Sequence, residues 1–259
     1  MTLESRQLLL LLTWMSPAFP VGAFTYSHGL EWAIEDGIVQ SAEDLQGWIE
    51  DLITRGSGWN DAVLFSRCWD EDGGALNELA LALAASRERH LETTQLGRAF
   101  AIAANVFAPR KRGEEGDPLR SNGGDEGQPV LADEEPGCPS PIPPLSRRAP
   151  FLSPLTRGED DVTYPVAAGT SCAAMGIERP HALLAFLQGF SSALVSVAVR
   201  LIPLGQSRGL EVIRGLMPII AATAERAAAA TLSDLGAITL NVDIASMKHE
   251  TQASRIFRT

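Results

Sequence analysis

The sequence predicts an all-α fold, a single-domain helical bundle, on three observations. Apolar residues recur at helical spacing through most of the chain outside residues 110–161. Residues that start and stop helices punctuate those stretches, and no run alternates with period two for long enough to build a sheet. With 259 residues, 45% of them hydrophobic, the chain can also bury a substantial core.

Taken in order, the first apolar run, Leu8–Leu12, has the look of a signal-peptide core, but Glu4 offsets Arg6 and the residues after it read as a structured motif rather than a cleavage site. Residues 16–32 crowd prolines, glycines, hydroxyls and aromatics ahead of a helix, with Thr25 or Ser27 as candidate cap and Phe24 as a core residue. Ser41 and Asp44 form a capping-box pattern before Leu45, Trp48, Ile49, Leu52 and Ile53, and Gly56 supplies the stop. Asn60 is the expected cap of a second helix through Val63, Leu64, Cys68 and Trp69, ended by Gly73 and Gly74. A third helix is expected from about Ala75 to His90, and a fourth from about Leu91 to Phe107.

Residues 110–161 hold nine of the sixteen prolines, seven glycines, eleven acidic and seven basic residues, a composition that cannot bury enough apolar surface to offset the entropy of ordering. The chain is therefore divided into an N-terminal helical part (1–109), a disordered insertion (110–161) and a C-terminal helical part of the same domain (162–259). In the last part, Tyr164-Pro165-Val166 reads as an extended entry to a short helix near Gly169–Met175. Pro180 then opens a long apolar helix whose uncharged stretch, Ala182–Val199, approaches membrane-spanning length. Gln188 and three serines break its hydrophobicity, so a buried helix is expected and no membrane. Its small residues Gly189, Ser192, Ala193 and Ser196 suit close approach of a second helix, in the core or at a homodimer seam. Residues 202–206 form a turn, a helix resumes through Gly209–Ala230 with a bend near Pro218, and a final helix covers Leu235–Met247.

Charge and composition exclude several functions. A net charge of −11 opposes nucleic-acid binding, which needs clustered cations; lysine occurs only at Lys111 and Lys248, against nineteen arginines. Cys68, Cys138 and Cys172 are odd in number and far apart, which fits neither a disulfide framework nor a metal knot and suits a reducing cytoplasm. There is no phosphate-binding glycine loop ending in Gly-Lys-Ser/Thr, no dinucleotide fingerprint and no Gly-x-Ser-x-Gly elbow. The four histidines are scattered, and His249-Glu250 lacks the second histidine of a zinc helix. No catalytic residue, resident metal site or cofactor is expected.

What remains is recognition. The segment from Met247 to Thr259 packs three cations, a carboxylate, an amide and an aromatic into the end of an acidic chain, which reads as a docking tail. Ser16–Trp32 and Pro203–Gln206 are the two other polar clusters in a core-like chain.

Four stretches carry a resemblance: Ser16-Pro-Ala-Phe-Pro-Val-Gly-Ala-Phe-Thr-Tyr-Ser-His-Gly-Leu-Glu31, Tyr164-Pro-Val-Ala-Ala-Gly169, Arg200-Leu-Ile-Pro-Leu-Gly-Gln-Ser207 and Ser246-Met-Lys-His-Glu-Thr-Gln-Ala-Ser-Arg-Ile-Phe-Arg258. In that order they resemble the UreF family of urease accessory proteins; the long Pro-rich insertion departs from the family's compact pattern. The resemblance implies a non-enzymatic, cytoplasmic, homodimeric scaffold in nickel insertion into apo-urease. Such a protein binds the accessory protein UreD (UreH in some systems) and recruits and modulates the GTPase UreG; a direct nickel-binding metallochaperone is the alternative. It also implies partner contacts by Lys248, His249, Glu250, Gln252, Arg255 and Phe257, by a companion patch of Phe24, Tyr26 and His28, and by Gln206. The tail is expected to be mobile or loosely helical alone and to order on binding.

Overall fold

The computed structural model describes residues 4–107, 161–236 and 239–258, apart from the side chain of Phe24. Ten α-helices and no strand occur among them: α1 Ser5–Trp14, α2 Leu30–Glu35, α3 Ala42–Arg55, α4 Ser57–Arg67, α5 Gly73–Ala82, α6 Arg87–Ala104, α7 Tyr164–Ala174, α8 Arg179–Leu201, α9 Gly205–Ala229 and α10 Leu240–His249. The expected all-α class holds. Residues 110–160 of the expected insertion, Cys138 among them, lie outside the described residues.

Helix α3 forms as its sequence dictates. The Ser41 hydroxyl accepts the Asp44 N–H at 3.1 Å, and the Asp44 carboxylate accepts the Ser41 N–H at 3.0 Å. Hydrogen bonds from Ser41 and Gln40 hold the Asp44 carboxyl below its ordinary range. Leu45, Trp48, Ile49, Leu52 and Ile53 are all buried. Ser41→Ala removes an N-cap acceptor and is expected to destabilise the protein by about 1 kcal/mol, read as a lower urea midpoint with unchanged slope.

Several boundaries differ from the sequence reading. Helix α4 starts at Ser57, so Asn60 lies inside it and does not cap it; the Asn60 Oδ1 instead accepts the Gly236 N–H at 3.2 Å. Every residue from Gly58 to Ser66 is buried, and α4 packs against α3, α7, α8 and α9. The third and fourth helices divide at Ser86, not near His90, because the Ser86 hydroxyl caps α6 by accepting the Arg89 N–H at 3.0 Å. Tyr164 opens α7 rather than preceding it in extended form, since Pro165 falls in the first turn, where a missing N–H costs nothing. Helix α9 begins at Gly205 and runs through Pro218, and α10 begins only at Leu240, after a short 3-10 turn at Leu232–Asp234.

Helices α8 and α9 form a hairpin that carries much of the core, with Phe186 of α8 stacked on Phe65 of α4 at 4.6 Å. Helix α8 is long and apolar enough to cross a membrane, but half of its most apolar stretch is buried inside the structure, as expected of a core helix. At Gly189 the close neighbour is the N-terminal segment: a Cβ there would lie 3.2 Å from the Met15 carbonyl oxygen. Burial pushes the Cys68 thiol up to about 12, and neither Cys68 nor Cys172 is in a disulfide.

One end of the bundle gathers α2, the start of α6 and α10. Gly29 joins them: its φ is +74°, and a Cβ would sit 2.6 Å from the Ser246 nitrogen of α10. Only glycine accepts both the left-handed backbone and that approach.

Candidate functional site

The residues after α10 do not project into solvent. They fold back as a strap, residues 250–258, across α2 and the start of α6. Glu31 in the first turn of α2 and Glu88 in the first turn of α6 are buried carboxylates. At the last residue of α10, the fully buried His249 ring lies between them, with Nδ1 2.8 Å from Glu88 Oε2 and Nε2 3.0 Å from Glu31 Oε2.

The strap completes the cluster. Ile256 N–H and Phe257 N–H donate to Glu31 at 2.7 and 2.9 Å, and Arg255 Nη1 donates to Glu88 Oε1 at 2.8 Å. Glu250 turns the other way, accepting the Arg87 N–H at 2.9 Å and the Glu88 N–H at 3.4 Å, an anion placed at the positive end of α6. The Ser86 and Ser246 hydroxyls share a hydrogen bond of 2.7 Å, and Gln252 donates to Glu35. Phe257 is buried beneath the Arg200 guanidinium, 4.7 Å from its ring centre, and Arg258 N–H donates to the Thr25 carbonyl at 2.7 Å. Gln95 Oε1 joins strap to loop, accepting from Tyr26 Oη at 2.7 Å and from Arg258 Nη1 at 3.2 Å. Burial, and next the Glu92 charge, raise the Tyr26 hydroxyl above its ordinary value, which keeps it a donor.

A second buried cluster adjoins the first. His28, the one non-glycine residue with positive φ among those described, places Nε2 2.8 Å from Glu92 Oε1 and its ring against Phe190. Arg89 pairs with Asp61 of α4, and its Nη1 lies 3.1 Å from Glu92 Oε2, an ion-pair contact rather than an aligned hydrogen bond. Burial opposes ionisation of both acids. For Asp61 burial outweighs Arg89 and raises the carboxyl; for Glu92 the combined His28 and Arg89 charges overcome burial and lower it. A carboxyl lowered on folding stabilises the native state above its ordinary value of 4.5 and loses that contribution as pH falls through the folded value. Glu92→Gln is therefore expected to flatten the decline of stability below pH 4.5, measured by urea unfolding across that range.

Of the residues singled out from sequence, Tyr26, His249, Glu250, Gln252, Arg255 and Phe257 come together, with His28 in the neighbouring cluster. Lys248 is exposed on α10, and Gln206 is exposed in the first turn of α9, facing a groove between α8 and α9 that Arg200 also lines. The Phe24 side chain lies outside the described residues. In the structure the tail lies against the body, with His249 and Phe257 buried and the Ile256 N–H, Phe257 N–H and Arg255 guanidinium donating to Glu31 and Glu88. Sequence reasoning missed Glu31, Glu88, Arg89, Glu92 and Gln95. The available signal was the polar density of Arg87–Gln95 inside a helix.

The outer face of this site has a different character. Leu240, Ile244 and Met247 form an exposed stripe on α10, where Lys248 is exposed as well, and on the strap Ile256 is 75% exposed and lines a groove along the start of α6 with Arg255, Arg258, Arg87 and Leu91. Among the described residues, no group of three His, Cys, Asp or Glu side chains is placed to hold a metal ion.

Comparison with known proteins decides the family. The UreF family model matches residues 39–217. The chain belongs to the UreF family. It is 41% identical over 261 residues to the urease accessory protein UreF of Mesorhizobium japonicum (strain LMG 29417 / CECT 9101 / MAFF 303099), covering 99% of this chain and 98% of that protein. It is also 40% identical to urease accessory protein UreF 1 of Brucella canis and to UreF of Methylobacterium sp. (strain 4-46), over 97% of this chain and 94% and 88% of theirs. In this UreF-family chain, residues 246–258, one of the four stretches that carry the resemblance, contribute both to the buried cluster and to the exposed basic and apolar surface.

Proposed function

We propose that this chain is a non-enzymatic scaffold in urease maturation, acting in the cytoplasm in nickel insertion into apo-urease. On this reading it binds a UreD/UreH-type accessory protein and, as a homodimer, recruits the GTPase UreG and modulates it. The 246–258 segment serves as a partner surface. The observation that carries this is the exposure, in a chain of net charge −11, of Ile244, Met247 and Lys248 on α10 and of Arg255, Ile256 and Arg258 on the strap that follows it. Exposed apolar residues accompanied by arginines have the composition of a binding hot spot, and backing of the strap by buried hydrogen bonds limits the entropy lost on docking.

The fold-neutral test uses side chains that point outward. Ile256→Asp and Lys248→Glu alter that face without touching the buried carboxylates. In size-exclusion chromatography with light scattering, the unaltered chain should form a complex with its cognate UreD-type and UreG-type partners, and the double variant should lose it while keeping its helical circular dichroism. Unchanged complex formation by the double variant would move the partner surface elsewhere. Failure of the unaltered chain to bind either partner would end the scaffold reading.

A further inference from the structure

The strap lies beside the first turns of α6. Glu250 meets the Arg87 and Glu88 N–H groups at the helix start, and Arg258 meets Gln95 two turns further on, so strap and helix run side by side in the same direction. Between them is a groove of about 630 Å³, within the size range of ligand clefts. Arg87, Arg255 and Arg258 line it, with Leu91 and Ile256 as its exposed apolar residues.

The groove's acids and bases differ in what they leave open. Both carboxylates are taken: Glu250 accepts the two helix-start N–H groups, and Glu88 accepts from Arg255 and contacts the buried His249 ring. The guanidiniums keep donors open, since each carries five N–H bonds. Arg255 uses one nitrogen on Glu88, Arg258 bonds Gln95 and Tyr26, and the exposed Arg87 side chain makes no ion pair among the described residues. In a chain of net charge −11, a concave site with three such cations and both its acids engaged attracts anions.

Spacing sets the shape of that anion. Leu91 lies one turn and Gln95 two turns beyond Arg87, about 6 and about 12 Å along the helix axis. In an extended peptide, side chains at i, i+2 and i+4 share one face at about 6.7 and about 13 Å, which matches. We propose that the groove between α6 and the strap binds an extended acidic segment of a partner protein, with acids at i and i+4 and an aliphatic residue midway. The first acid meets the Arg87 guanidinium, which can hold a carboxylate through two parallel hydrogen bonds. The aliphatic residue meets Leu91 and Ile256, and the second acid meets Arg258 beside Gln95. Arg255, held on Glu88, adds a cation near the start of α6. This inference rests on the reading of residues 246–258 as a partner surface and adds the chemistry of what docks there.

The experiment is an NMR titration of the isolated full-length protein with the peptide Gly-Glu-Thr-Leu-Thr-Glu-Gly, blocked at both ends. Binding should have a Kd on the order of 100 μM at low salt, weaken as salt is added, and shift the amides of residues 87–95 and 255–258. The peptide with Gln for both Glu, and the isomer Gly-Thr-Glu-Glu-Leu-Thr-Gly with its acids adjacent, should each bind about tenfold more weakly. The double variant Arg87→Gln with Leu91→Ser, two exposed side chains, should lose about as much, whereas Arg214→Gln, an equal charge change on the exposed side of α9, should lose nothing. No binding, equal binding of either control peptide, equal binding by the double variant, or displacement by inorganic phosphate would each overturn the groove's assignment. Peptide binding by a chain that forms no complex with UreD-type and UreG-type partners would keep the groove and end the scaffold reading. Complex formation without peptide binding would do the reverse.

Discussion

Glu31→Ala is expected to destabilise the protein by about 3–5 kcal/mol, the range for removing one partner from a buried, hydrogen-bonded charge group. The carboxylate accepts from Ile256 N–H and Phe257 N–H and lies 3.0 Å from the His249 ring Nε2. Its removal leaves an imidazole and two backbone donors facing a cavity, each with its own desolvation penalty. The damage should be local first. Amides of residues 255–258 should lose protection at denaturant concentrations where α3 and α4 remain protected, because Glu31 holds the Ile256 and Phe257 N–H groups of the strap while it makes no hydrogen bond to α3 or α4. Glu35→Ala, at an exposed acid in the same helix, should shift the urea midpoint little and serves as the comparison.

Gly29→Ala is the second large effect. The position has φ +74°, and left-handed backbone costs an L-residue about 1–2 kcal/mol. The added Cβ would also stand 2.6 Å from the Ser246 nitrogen and 2.9 Å from the Ala245 carbonyl carbon, both backbone atoms that cannot rotate away, and overpacking of this kind costs about 1–3 kcal/mol more. Helix α10 must therefore move off α2, taking His249 with it. Gly22→Ala separates the two contributions, since its φ is +78° but nothing lies within 4 Å of the added carbon. Thermal unfolding should place Gly29→Ala well below Gly22→Ala, and an equal shift in both would show that the α2–α10 contact contributes little.

The sequence was most legible where local chemistry and tertiary burial agree. Helix α3 combines a capping box with apolar residues at helical spacing, so both its limits and its buried face could be read directly. Helix α4 was harder because it is buried on nearly all sides yet contains Asn60 and Asp61, whose polarity reads as surface or cap. Their partners, Gly236 N–H and Arg89, come from distant positions. The same holds for the site. The chemical density of 247–259 marked a recognition segment, but a linear pattern carries no direction, and His249 and Phe257 turn inward while Lys248 and Ile256 turn outward. Glu31 and Glu88 occupy first turns of helices, where carboxylates are commonplace complements to the helix dipole. Only the return of the strap, more than 160 residues along the chain from Glu88, gives them their role.

The central claim is that the outer face of α10 and the strap is where a partner docks. The most direct measurement replaces Ile256, which is 75% exposed, with a photo-crosslinking amino acid and irradiates the assembled complex with the cognate UreD-type and UreG-type partners. The account predicts a covalent adduct between this chain and one of those partners. A complex that assembles fully, as judged by size-exclusion chromatography, yet gives no adduct from position 256 or from Met247 would contradict it.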